Sequence, residues 1–147
     1  MKLKRWIALG CLTAALGMLL TGCAFSTELP EGMDEETVIA AGQVVLDELL
    51  AEKYEEVAAR FREDIRNQKD KEITGEVIKQ LVTEHAKPEE VGTFEKVSIT
   101  EAEGQYIPEV EPHAVAEFHC EYSKKKVGFG IAFDLDMNLI GLSVVTE

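Results

Sequence analysis

The sequence predicts an α+β domain, with N-terminal helices packed on a curved four-stranded antiparallel sheet. Two observations predict it. From Asp34 to about Val82 the apolar residues recur every three or four positions, which is the spacing of a helix face. After Gly92 the period falls to two, as in a strand with one buried face. Helices first and an antiparallel meander after them define the class.

Asp34 is a good N-cap for the first helix, and Glu35 and Glu36 suit the positive end of its dipole. Val38, Ala41, Val45, Leu46 and Leu49 share its apolar face. Gly42 lies in that face at a cost of about 1 kcal/mol against Ala, which close packing on a neighbouring backbone would explain. A second, short helix is expected over Tyr54 to Glu63, with Tyr54, Val57, Ala58 and Phe61 on one side. Asn67 to Lys71 is polar and reads as a loop. Thr74 caps a third helix carrying Val77, Ile78, Leu81 and Val82, and Pro88 stops it from continuing.

The strands follow in order. Phe94 to Glu103 is the first, with Val97 and Ile99 expected inward. Gly104 to Pro112 is a loop, and His113 to Tyr122 is the second strand. Lys124, Lys125 and Lys126 mark a turn, and Val127 to Asp134 is the third strand. Asp134 to Asn138 turns again, and Leu139 to Val145 is the fourth.

Alternation sorts the last three strands into two faces. Ala114, Ala116, Phe118, Cys120, Tyr122, Val127, Phe129, Ile131, Phe133, Ile140, Leu142 and Val144 form the face that must meet the helices. His113, Val115, Glu117, His119, Glu121, Gly128, Gly130, Ala132, Gly141, Ser143 and Val145 form the other, whose polar alternation suits a solvated sheet.

The sequence resembles a bacterial domain-of-unknown-function family, numbered 3887, within the nuclear-transport-factor-2-like (cystatin-like) cones. The resemblance runs from about Thr37 to Val145. Its carriers are Leu49-Leu50-Ala51-Glu52-Lys53-Tyr54-Glu55-Glu56-Val57, Gly92-Thr93-Phe94, Glu117-Phe118 and Ile140-Gly141-Leu142. The family usually has a Gly-Asp break before the tyrosine, where this chain has Glu52-Lys53. The resemblance implies helices packed into a curved sheet and carries no established activity. Members occur on secreted lipoproteins.

Residues 1–22 read as a signal peptide. Lys2, Lys4 and Arg5 precede an apolar stretch from Trp6 to Leu20, too short and too interrupted to favour a spanning helix. Leu20-Thr21-Gly22-Cys23 resembles a bacterial lipobox, with cleavage between Gly22 and Cys23 and a diacylglycerol on the Cys23 thiol. Two acyl chains anchor stably where one holds marginally. Residues 23–33 are expected to be a tether and residues 34–147 the cone-like domain. The expected location is the extracytoplasmic face of the cell membrane.

The whole chain holds 15 Lys and Arg against 28 Asp and Glu. Loss of residues 1–22 removes three basic residues and no acidic ones, leaving 12 against 28, a net −16. Such a body opposes nucleic acid, whose phosphates need a basic surface, and repels anionic lipid. Cys11 leaves with the signal and Cys23 takes lipid, so Cys120 has no partner for an intramolecular disulfide.

Candidate chemistry is thin. The helix-facing side offers Cys120 and Tyr122 but no carboxylate or imidazole, so no catalytic residue is assigned. Glu117, His119 and Glu121 share a strand face, with His113 farther along, but no completing metal ligand is evident nearby. Neither a metal nor a cofactor is therefore assigned. Tyr54, Phe118, Cys120, Tyr122 and Phe129 are expected to line a small pocket for an apolar or amphipathic ligand. Lys124 to Lys126 is a solvated turn, with docking to wall polymer or an acidic partner as the sharper reading. Gly128, Gly130, Ala132, Gly141 and Ser143 suggest close approach of a second copy in a homodimer, against the alternative of sheet bending. The expected function is a membrane-tethered, non-catalytic binding or interaction module. The alternative is a small isomerase- or dehydratase-like enzyme using a residue inside the cone.

Overall fold

The computed structural model describes residues 28–147. The expected signal peptide, Gly22, Cys23 and the first part of the expected tether lie outside the described residues. Helix α1 (Glu35–Leu50) leads into α2 (Tyr54–Arg60) and the single turn α3 (Glu63–Arg66). A two-residue ladder pairs β1 (Asn67–Gln68) with β2 (Lys71–Glu72), where the sequence suggested only a loop. Helix α4 (Gly75–His85) and the short α5 (Pro88–Val91) complete the helical half. Strands β3 (Phe94–Gln105), β4 (His113–Tyr122), β5 (Lys126–Phe133) and β6 (Leu139–Thr146) form one antiparallel sheet in sequence order. No helix among the described residues is long and apolar enough to cross a membrane.

The helix ends follow their local chemistry. Asp34 caps α1 by accepting from the Thr37 backbone N–H at 2.9 Å and from the Thr37 hydroxyl at 2.7 Å. Thr74 caps α4 through the Val77 N–H. Pro88 opens α5, where its missing N–H costs nothing. At the end of α1 the Lys53 N–H donates to the Glu48 carbonyl at 2.8 Å, and Glu52 takes φ +57°. That left-handed residue breaks the chain between α1 and α2, without glycine.

The helices cover one face of the sheet. Helix α1 lies against β3, β4 and β5, while α4 reaches β6 and packs on α2. Their shared core joins Val38, Val45, Leu46 and Leu49 of α1 to Phe118, Phe129, Ile131 and Leu142 of the sheet. Gly42 sits at the closest approach. A Cβ there would stand 2.6 Å from the Ala116 Cβ and 2.9 Å from the Phe118 ring. Its neighbours are therefore side chains, rather than the backbone that the sequence suggested.

Two inward assignments are corrected. Ile99 is 48% exposed and pairs with His119 on the other face. The ladder between β3 and β4 shifts twice, between Phe94 and Lys96 and between Val97 and Ile99, so simple alternation fails there. Ile140 also belongs to the other face, packing with Val115 and Ala132. A shift beside Phe133 pairs it with Leu139, which takes the inward place in the core.

The folded body also begins earlier than residue 34. Pro30 is buried, and Leu29 and Met33 pack against the main core. Gly104 of β3 meets the Glu28 carbonyl so closely that a Cβ there would collide with it. Residues 29–33, expected to belong to the tether, are thus part of the packed body.

A charged clamp ties the two halves together. Phe61 bridges Leu139 in parallel, and the Arg62 N–H donates to the Leu139 carbonyl at 2.9 Å. The Arg62 guanidinium donates to Asp134 at 2.8 Å, to Glu111 at 2.7 Å and to Asp64 at 2.6 Å. Asp134 is buried, and its Oδ1 also accepts from the backbone N–H groups of Asp136 and Asn138. Burial pushes its carboxyl up, but Arg62, Asn138 and those N–H groups outweigh burial and hold it below the usual carboxylate range.

Candidate functional site

The face of the sheet that no described helix covers, the helix-free face below, is built from cross-strand rows. Glu101, Glu117, Gly130 and Ser143 lie in one row across β3, β4, β5 and β6. Glu103, Val115, Ala132 and Gly141 form the next. Ile99, His119, Gly128 and Val145 flank the first row on its other side. Alternation along each strand sends all these side chains to the same side.

This face is not the solvated surface that its polar alternation suggested. Glu117 is 2% exposed, and His113, Val115, Ala132 and Ser143 are buried with it. Three of its apolar members, Val115, Ala132 and Ile140, form a cluster that no described helix residue joins.

Three carboxylates converge here. Oxygens of Glu101, Glu103 and Glu117 all lie within 4.8 Å of one another. Burial raises the Glu117 carboxyl above its ordinary value, the neighbouring Glu103 and Glu101 charges add to this, and His119 opposes it. Glu103 is raised in the same way, first by burial and then by Glu101. Glu117 Oε2, Ser143 Oγ and Gln105 Oε1 are buried without a hydrogen-bond partner among the described residues.

The other polar residues of this face are engaged elsewhere. Glu121 pairs with Lys96 at 3.3 Å, and His119 Nδ1 lies 3.3 Å from Glu147 Oε1. His113 Nδ1 lies 2.8 Å from the Glu111 carbonyl, which can only accept, so that nitrogen carries the proton. The sequence reading grouped Glu117 with His119 and Glu121. The fold groups it with Glu101 and Glu103. The signal was the i, i+2 glutamate pair of β3, which becomes meaningful once the register sets Glu101 opposite Glu117.

The expected pocket residues sit on the helix-covered side. Phe118 and Cys120 are fully buried, Phe129 is 2% exposed, and all three belong to the main core. Tyr54 and Tyr122 are half-buried against it, and Tyr122 meets the Phe94 ring edge-on at 5.6 Å. Burial pushes the Cys120 thiol up to about 11. It pushes the Tyr122 hydroxyl up to about 12, with smaller contributions from Cys120 and Tyr54. Both groups are neutral at physiological pH, so Cys120 behaves as a small core residue.

The lysine turn is partly committed to structure. Lys124 Nζ donates to the Glu89 carbonyl at 2.9 Å, and Ser123 Oγ accepts from the Thr93 N–H at 3.0 Å. Gly92 makes this corner at φ +83°, where a Cβ would strike the Ser123 hydroxyl.

Comparison with known proteins bears on the family and the fold. The family profile described as protein of unknown function DUF3887 matches residues 43–142. A solved structure, described as an NMR structure of a protein from Ruminococcus gnavus ATCC 29149, superposes with a TM-score of 0.60 at 24% identity. The match covers 80% of this chain and 96% of that one. At that identity the likeness concerns the fold alone. No curated protein matches the chain.

Proposed function

We propose that this chain, which belongs to the DUF3887 family, is a membrane-tethered extracytoplasmic lipoprotein whose domain is a non-catalytic interaction module. The single observation that carries the tether is the Leu20-Thr21-Gly22-Cys23 junction, directly after a basic and apolar leader. The start of the fold supports it. Leu29 already packs on the core and Pro30 is buried, a few residues beyond Cys23, so the body would hang close to the lipid.

We read the sheet as the cone of nuclear-transport-factor-2-like proteins. The register shifts of β3 and β6 support this, because extra residues bend and twist a strand. The helix-covered interior favours binding over catalysis. Its ionisable groups within the sheet, Cys120 and Tyr122, are both held neutral by burial. Phe118, Cys120 and Phe129 are already packed, which directs an apolar ligand to the rim where Tyr54, Tyr122 and Phe94 lie. A second copy of the chain, meeting Gly128, Gly130 and Gly141, is the partner suggested by the small residues of the helix-free face.

One observation favours an isomerase- or dehydratase-like enzyme instead. Glu117 is a buried carboxyl with a raised proton affinity, as a general acid or base requires. Its position on the helix-free face, away from the interior of the cone, weighs against that chemistry.

Membrane fractionation tests the tether. Wild type should sediment with membranes at the processed mass, and Cys23→Ala should remain at the precursor mass. A Cys23→Ala variant that is processed and anchored like wild type contradicts the proposal.

A further inference from the structure

We propose that Glu101, Glu103 and Glu117 hold a hard divalent cation, calcium above all, on the helix-free face of the sheet. The geometry suits one ion. Calcium takes oxygen ligands at about 2.3–2.6 Å, so two oxygens on one ion stand up to about 5 Å apart. The three carboxylates meet that limit, with their oxygens within 4.8 Å of one another.

A separate observation points to a ligand. Glu117 is 2% exposed, and its Oε2 has no hydrogen-bond partner among the described residues. A buried polar atom in a folded protein is normally satisfied, and leaving one unpaired is costly. The carboxylates cannot satisfy one another when ionised, because each oxygen only accepts. Among the described residues, no Lys or Arg is paired with these three carboxylates. Lys96 pairs with Glu121, and His119 Nδ1 faces Glu147. Two more buried oxygens without partners among the described residues, Ser143 Oγ and Gln105 Oε1, lie on the same face.

The donor set selects the metal. It contains oxygen only, which suits calcium or magnesium and disfavours zinc, a metal of imidazole and thiolate sites. Magnesium demands near-ideal octahedral geometry at about 2.0–2.1 Å, whereas calcium tolerates irregular sets such as this one. Calcium sites of extracellular modules typically dissociate at about 0.1–1 mM, and the range expected here rests on the extracytoplasmic location proposed above.

The test is calorimetric titration of the full chain in detergent with calcium chloride. Thermal midpoints are measured beside it, against sodium chloride at matched ionic strength. The expected result is saturable binding in the range above and a midpoint that rises with calcium. Glu117→Gln should weaken binding at least tenfold, and Glu101→Gln/Glu103→Gln should abolish it. The second variant changes side chains that are not fully buried, so it keeps the test decisive if Glu117→Gln fails to fold. Glu95→Gln, on the same strand outside the cluster, should bind like wild type. Absence of binding at about 10 mM calcium, tenfold above the weak end of the range, overturns the proposal. So does binding that survives in Glu101→Gln/Glu103→Gln, or a response confined to zinc. Cys23→Ala should keep its calcium response, which separates failure of the tether from failure of this site.

Discussion

Gly42 of α1 and Ala116 of β4 meet so closely that a Cβ on Gly42 would stand 2.6 Å from the Ala116 Cβ. Helix propensity alone would make Gly42→Ala a gain of about 1 kcal/mol. The contact reverses the sign. The Ala116 Cβ is fixed to a central strand and cannot swing away, so α1 must move off the sheet. Overpacking of this kind costs about 1–3 kcal/mol. Urea denaturation should therefore find Gly42→Ala less stable than wild type. A more stable variant would mean that α1 is free to shift.

Glu52 presents the opposite case. It holds φ +57° at the α1–α2 junction, a conformation that costs a residue with a side chain about 1–2 kcal/mol. Glycine carries no such cost, although it loses more entropy on folding. Glu52→Gly should raise stability by about 0.5–1 kcal/mol, read as a higher urea midpoint with an unchanged slope. A fall in the midpoint would show that the Glu52 side chain contributes more than its backbone strain costs.

Asp134 should govern part of the acid limb of stability. Its carboxyl is held below the usual range, with Arg62 and Asn138 outweighing burial. A lowered folded value contributes stability that is present above the unfolded value, about 3.9. That contribution is lost as pH falls through the folded value. Asp134→Asn should be less stable than wild type at neutral pH by about 1–3 kcal/mol, and its stability should change less below about pH 4. Thermal midpoints across that range check both. Parallel acid limbs would remove Asp134 from the account.

The start of the domain makes a further prediction. Leu29 and Met33 pack on the core and Pro30 is buried. A chain beginning at Asp34 should be less stable than one beginning at Glu28 by about 1–3 kcal/mol, the scale of burying one or two apolar side chains in part. Equal urea midpoints would return residues 28–33 to the tether.

Much of the fold was legible in the sequence because its signals are local. The caps at Asp34 and Thr74 were readable from one residue each, and β4 was bounded by its alternation at His113 and Tyr122. The errors at Ile99 and Ile140 share a cause. A strand with an extra residue changes face, and that residue is specified by the partner strand. The acidic cluster was missed for a related reason. Glu101 and Glu103 look like ordinary surface glutamates until the register sets Glu101 opposite Glu117, sixteen residues farther along the chain. The Arg62–Asp134 pair, separated by 72 positions, left no local trace at all.

Intact-mass analysis of protein purified from membranes tests the central claim, that this family member is held at the membrane through Cys23. The account predicts a polypeptide that begins at Cys23 and carries the mass of a diacylglycerol group, with or without a further acyl chain. A polypeptide that begins at Ala24 or later and carries no lipid would contradict it.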